Sequence, residues 1–148
     1  MRDKVIWITG ASSGIGEELA KQYAKRGSKL ILSARRKEEL ERVRSSCLNQ
    51  DNIKIVPLDL TDFSGLPQKV EEAKECFGAI DLLINNGGVS QRSLIVDSSF
   101  DVYKQLMDVN YLGTSTRAFC SSDQCDGKVW FPFPFGLCRG KTRLTWFL

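Results

Sequence analysis

The sequence predicts an α/β fold built on a doubly wound parallel sheet. Two observations and one rule of sheet topology carry that expectation. Short apolar runs alternate with charged helical stretches through residues 1–119. A glycine-rich turn, Thr9-Gly10-Ala11-Ser12-Ser13-Gly14-Ile15-Gly16, joins the first run to the first helix. Strands separated by helices of this length pair in parallel, with helices on both faces of the sheet.

The elements follow in order. Val5-Ile6-Trp7-Ile8 is a buried first strand. Glu17 to Arg26 is a helix that ends at Gly27. Lys29-Leu30-Ile31-Leu32-Ser33 is a second strand. Lys37 to about Leu48 is a charged helix, with Leu40, Val43 and Cys47 spaced to line one face. Ile53 to Leu58 is a third strand, and Pro57 marks its end or an edge position. Leu66 to Phe77 is a third helix, closed by Gly78. Ile80 to Asn85 is a fourth strand. Ser98 or Ser99 caps a fourth helix running toward Ala118.

The character changes near Cys120. Residues 120–148 form an aromatic-rich tail without apolar period, distinct from the domain of residues 1–119. Trp130-Phe131-Pro132-Phe133-Pro134-Phe135 cannot be a central strand with prolines at that spacing.

Bulk properties exclude several classes. A net charge of +3 is too small to argue for nucleic acid or membrane binding. The chain has no histidine, the commonest general base and metal ligand. Cys47, Cys76, Cys120, Cys125 and Cys138 include no CxxC pair, so neither a disulfide framework nor a metal site is supported. No apolar run reaches the roughly 18 residues of a membrane span, and no signal peptide precedes the first strand. A cytoplasmic location is the default expectation.

The glycine turn carries the chemistry. A strand, a glycine-rich turn and a helix N-terminus together form a pyrophosphate cradle. Gly10 permits the tight turn, Gly14 lets backbone approach the phosphates, and Gly16 lets helix and strand pack closely. Ser12, Ser13 and Ile15 complete the loop. Cofactor choice follows from the end of the second strand. NAD sites place an acidic residue there for the ribose 2′-hydroxyl. This chain has Arg35 and Arg36, two guanidiniums suited to a 2′-phosphate. NADP(H) is therefore expected over NAD(H). Both arginines also fit the start of a solvated helix, Arg36 better than Arg35. Ser13 precedes the second glycine, where some NADP-preferring proteins carry a basic residue.

Residues 4–117 resemble the N-terminal half of a short-chain dehydrogenase/reductase. The Thr-Gly-x-x-x-Gly-x-Gly of residues 9–16, Asp59-Leu60, Asn85-Asn86-Gly87-Gly88 and Asn110 in Val109-Asn110-Tyr111 match that family's motifs at the right intervals. The resemblance implies a Rossmann-type sheet, here its 3-2-1-4 half, with strand 4 left as an open edge. It implies adenine contact at Asp59 and Leu60, and a cofactor-adjacent turn at Asn86, Gly87 and Gly88. It makes Asn110 the one catalytic residue present, holding a relay water. On the sequence alone a helix kink or a solvent-facing side chain suits Asn110 equally. The family's chemistry is hydride transfer between a nicotinamide and a carbonyl or alcohol. Its relatives are often anchored to the endoplasmic reticulum, and its fourth helix packs against neighbouring subunits, implying homo- or hetero-oligomers.

The rest of the catalytic set is not found. The family uses a serine and a tyrosine followed four residues later by lysine. Tyr23, Tyr103 and Tyr111 are followed at that spacing by Gly27, Met107 and Ser115, and no serine follows Ser122. Three readings stand: an NADP(H)-binding chain inactive alone, a truncated isoform that pairs with a full-length family member, or a non-functional product. The tail is open between a splice or frame product and a diverged module. Its aromatic residues have one further role open to them, covering the edge of strand 4.

Overall fold

The computed structural model describes residues 2–92, 94–115 and 128–130. The elements are β1 (Val5–Thr9), α1 (Gly14–Lys25), β2 (Lys29–Ser33), α2 (Lys37–Ser46), β3 (Ile53–Ile55), α3 (Leu66–Phe77), β4 (Leu82–Ile84), α4 (Phe100–Met107) and β5 (Lys128–Trp130). The sheet is parallel throughout, in the order β3-β2-β1-β4-β5. The expected 3-2-1-4 order is therefore present. The reversal of winding between β1 and β4 opens a crevice at the carboxyl ends of the strands.

The register explains the core. Ile6, Trp7 and Ile8 of β1 lie beside Leu30, Ile31 and Leu32 of β2 and beside Leu82, Leu83 and Ile84 of β4. Alternate side chains point to opposite faces. Val5, Trp7, Ile31 and Leu83 pack with Leu66, Val70 and Ala73 of α3. Ile6, Ile8, Leu30 and Leu32 pack with Ala20 and Ala24 of α1 and Leu40 and Val43 of α2. Both faces are apolar because both are covered. The Trp7 indole N–H donates to the Ser33 hydroxyl at 2.8 Å, so the bulkiest core side chain is also satisfied.

Several expected boundaries move. Helix α1 starts at Gly14 rather than Glu17, directly behind the extended Ser13, whose carbonyl accepts the Glu17 N–H at 3.4 Å. Helix α2 ends at Ser46, where Cys47 turns extended. Strand β3 stops at Ile55. Val56 and Leu58 still donate to Leu32 and Ala34, but Pro57 between them has no N–H and the ladder lapses. Helix α3 matches its expected limits, with Gly78 at φ +84° as its end.

The open edge expected at strand 4 is corrected. Lys128, Val129 and Trp130 pair with Leu82, Leu83 and Ile84 as β5. These three residues keep their N–H groups, and the proline obstruction begins only at Pro132. The sheet thus reaches into the segment read as a separate tail. The expected continuation of the fourth helix to Ala118, the remaining tail, and Cys120, Cys125 and Cys138 lie outside the described residues. Cys47 is a buried free thiol and Cys76 a half-buried one. No helix among the described residues is long and apolar enough to cross a membrane.

Leu30 is fully buried between β1, β3 and the α1–α2 layer. Leu30→Ala is expected to lower unfolding free energy by about 2–5 kcal/mol, read as a lower urea midpoint at unchanged slope. A loss under ~1 kcal/mol would contradict this packing.

Candidate functional site

Thr9 ends β1, and its hydroxyl ties that end to the segment leaving β4. Thr9 Oγ1 accepts from the backbone N–H of Asn86 and of Gly87, both at 3.1 Å. It donates to the Ile84 carbonyl at 3.4 Å. One donor and two acceptor sites are a hydroxyl's full capacity. The Asn86 carboxamide donates to the Gly10 carbonyl at 3.2 Å. The Ala11 N–H donates to the Ser33 carbonyl at 3.1 Å, so the loop is also tied to β2.

The glycines are where space runs out. Gly10 has φ +64°, and a Cβ there would stand 2.7 Å from Gly87 Cα. A Cβ on Gly16 would strike the Gly10 carbonyl oxygen and lie 2.6 Å from the Asn86 amide nitrogen. Gly14, at φ +58°, faces open space. Ile15 is 72% exposed on the first turn of α1.

A cleft of about 230 Å³ opens above this knot. Gly10, Ser12 and Ser13 form its floor, Arg35 and Arg36 one side, Asp59 and Leu60 another, and Gly87 and Gly88 the β4 end. Gly14, Ile15, Gly16, Asn86 and Asn110 lie outside that lining. Gly16 and Asn86 hold the floor from below. Asp59 accepts from the Thr61 N–H at 2.9 Å and the Thr61 hydroxyl at 2.8 Å, closing an Asx turn at the rim.

Asn110 sits in a widened π turn, Asp108–Leu112, between α4 and the short helical turn Gly113–Ser115. Such turns mark functional positions. Its side chain is exposed yet hydrogen-bonded through both its oxygen and its nitrogen. The Val89 N–H donates to Asn110 Oδ1, and Asn110 Nδ2 donates to the Val89 carbonyl, each at 2.8 Å. This strand-like pairing holds the segment after Gly88 against the helix. The side chain is solvent-exposed, and the π turn interrupts the α-helix at this position.

The arrangement can hold an anion. The helix N-terminus of α1 offers unpaired N–H groups to an anion. Arg35 and Arg36 are exposed and in no ion pair among the described residues. Arg36 is the N-cap of α2, a poor place for a cation unless an anion lies there too. The cleft fits a dinucleotide phosphate chain on these grounds.

The short chain dehydrogenase model matches residues 4–122. The chain belongs to the short-chain dehydrogenase family. It is 52% identical over 125 residues to human dehydrogenase/reductase SDR family member 7, covering 81% of this chain and 37% of that protein. The fruit-fly (Drosophila melanogaster) family protein 7-like is 41% identical over 116 residues, 75% of this chain and 36% of that one. This short-chain dehydrogenase chain therefore spans little more than a third of the length of these relatives. A short chain dehydrogenase from Bacillus anthracis superposes with a TM-score of 0.72 at 31% identity, over 80% of this chain and 48% of that one. An actinorhodin polyketide ketoreductase crystallised with NADPH shares the fold, with a TM-score of 0.70 at 24% identity, over 76% and 45%.

Sequence reasoning passed over Thr9 as a site residue, although it stood at the strand end inside the motif. It also passed over Ser33, Val89 and Val109, which line the cleft, and Arg42, which touches the loop. Nothing local marks these residues, since each acquires its role through a contact distant in sequence.

Two outcomes test the site. Thr9→Val leaves the Asn86 and Gly87 N–H groups without their acceptor and is expected to cost about 1–3 kcal/mol, measured by urea unfolding. Glu17 supplies the second test. Hydrogen bonds from Arg42, then from Lys21, hold its carboxyl at about 2, below the ordinary 4.5. Folding favours the ionised form, so its contribution is complete above pH 4.5 and is lost as pH falls through about 2. Stability measured from pH 5 to pH 2 should fall less steeply in Glu17→Gln than in the wild type.

Proposed function

We propose that this chain binds a nicotinamide dinucleotide in the β1–β4 crevice, prefers NADP(H), and does not turn over substrate by itself. The observation that carries the preference is the pair of guanidiniums, Arg35 and Arg36, on the cleft wall at the end of β2, neither in an ion pair among the described residues. A third negative group on the adenosine ribose answers both charges and the exposed N-terminus of α2. The NADPH in the ketoreductase of the same fold supports this reading.

The residues divide the work. Residues 1–119 form the nucleotide-binding unit. Gly10, Ser12, Ser13 and Gly14 present backbone to the phosphates, with Ile15 and Gly16 setting the helix start. Asp59 and Leu60 flank the adenine. Asn86, Gly87 and Gly88 bring backbone against the nicotinamide half. A bound nicotinamide supplies the hydride in this family's chemistry. Asn110 positions the segment after Gly88 through Val89, and its backbone carbonyl accepts the Thr114 hydroxyl at 3.0 Å. No tyrosine in these 148 residues has a lysine four positions on. Loss of general acid catalysis costs about 10²–10⁴ in rate.

A second role is pairing with another family chain. Phe100, Tyr103, Met107 and Tyr111 recur at helical spacing along α4 and its π turn, and all are exposed. Intervals of three and four residues put them on one stripe, which suits a second family chain.

Binding is read by quenching of tryptophan fluorescence and by melting temperature on titration with NADPH and NADH. NADPH should bind at least about tenfold tighter than NADH. Arg35→Ala should remove most of that difference while leaving NADH unchanged. Equal affinities in the wild type would sink the preference. NADPH oxidation with a carbonyl panel at ordinary rates would overturn the claim of inactivity. Co-purification of a tagged full-length family member tests pairing, and a monomer beside that partner counts against it.

A further inference from the structure

The side of α2 that faces the glycine turn carries Arg42, which lies outside every family motif quoted above. Its guanidinium makes four hydrogen bonds. Nη2 donates to the Ser12 carbonyl at 3.1 Å and to Glu17 Oε2 at 2.8 Å. Nη1 donates to Glu17 Oε1 at 3.1 Å, and Nε to Glu39 Oε2 at 2.9 Å. Lys21 Nζ adds a contact to Glu17 Oε1 at 2.7 Å. Three elements meet in this cluster: the loop, the first turn of α1, and α2.

Two consequences follow from elementary chemistry. The peptide joining Ser12 to Ser13 is planar and trans, so its N–H points away from its C=O. A guanidinium that holds the Ser12 carbonyl on the α2 side turns the Ser13 N–H the other way. Ser12 and Ser13 both line the cleft. Glu17 is the second consequence. A carboxylate in the first turn of an anion-binding helix repels a phosphate placed there. Arg42 and Lys21 together bind it on its outer side, and its side chain is only 16% exposed. A planar fork is needed to meet one carbonyl and both carboxylate oxygens at once, and an ammonium cannot reproduce it.

We infer that Arg42 is a positioning residue for the nucleotide cleft: it straps the Ser12 carbonyl and the Glu17 carboxylate to α2, fixing the phosphate loop relative to the helix that directly follows Arg35 and Arg36. This rests on the dinucleotide-binding reading above. The strap couples the two halves of phosphate recognition through one side chain that does not line the cleft itself.

The test uses the full chain as wild type, Arg42→Ala, Arg42→Lys and Arg44→Ala. Arg44 lies on the same helix and pairs with Glu41, away from the loop. NADPH affinity is measured well below the melting temperature of the least stable variant. Both Arg42 variants should bind NADPH about threefold to tenfold more weakly, and Arg44→Ala should match the wild type. Arg42→Lys should recover most of the melting temperature lost in Arg42→Ala, because the charge is kept, yet not recover affinity. Unchanged affinity in Arg42→Ala, or affinity restored by lysine, overturns the inference. Amide hydrogen exchange at Ala11 and Glu17 gives a readout without cofactor. Exchange there should quicken in both Arg42 variants and not in Arg44→Ala, and no change overturns the strap. Should the wild type fail to bind NADPH, the dinucleotide reading fails, and exchange alone decides whether the strap exists.

Discussion

The Thr9 hydroxyl is the point on which this structure turns. It uses every hydrogen-bonding site it has to join the end of β1 to the segment leaving β4. Those two strands are neighbours in the sheet, and their connections wind in opposite directions. A crevice results, and its width is set by how closely the two chain segments approach. Gly10 against Gly87 makes that approach possible without a side chain between them. Gly16 against Gly10 brings α1 down onto the same spot. The cleft floor is thus backbone, dense in N–H groups, and rigid because the layers beneath it are buried.

Charge placement adds direction to that floor. The glycine turn is neutral and presents helix-end N–H groups, which suit any phosphate. The guanidiniums at the end of β2 are what distinguish one dinucleotide from another. Glu17 is a charge of the wrong sign in the first turn of α1, and it is paired with Arg42 and Lys21. The same contacts that lower its pKa also orient the loop, so electrostatics and geometry are served by one cluster.

The far end of the sheet shows how a short strand alters the consequences of a fold. With β4 as the last strand, its N–H and C=O groups would stand open to pairing with other chains. Lys128–Trp130 occupies that position. Three residues are enough to cover β4, which itself has three. The π turn at Asp108–Leu112 plays a related part on the helical side. It inserts one extra residue per turn and turns the Asn110 amide to meet Val89 like a strand partner, joining α4 to the crevice rim.

The parallel fold was legible in the chain because alternation of apolar runs and amphipathic helices has one good solution. Helix α3 and strand β2 were legible to the residue, since Gly78 and Gly27 punctuate them and the apolar pattern between is unbroken. The glycine turn, the arginine pair and the asparagine–glycine turn were equally legible, because backbone geometry and charge demand those residue types locally. What the sequence determined by itself was therefore local: which segments are strands, where backbone must pass close, and where positive charge gathers. Tertiary structure decided the rest. Thr9 became a three-way anchor, Asn110 a clasp on Val89, Arg42 a strap, and Lys128–Trp130 the edge of the sheet. Each of these depends on a partner between 21 and 78 residues away, as in Val89 with Asn110 and Thr9 with Gly87. A hydrogen bond between groups that distant is specified by the packing that brings the layers together, not by the residue types on either side of it.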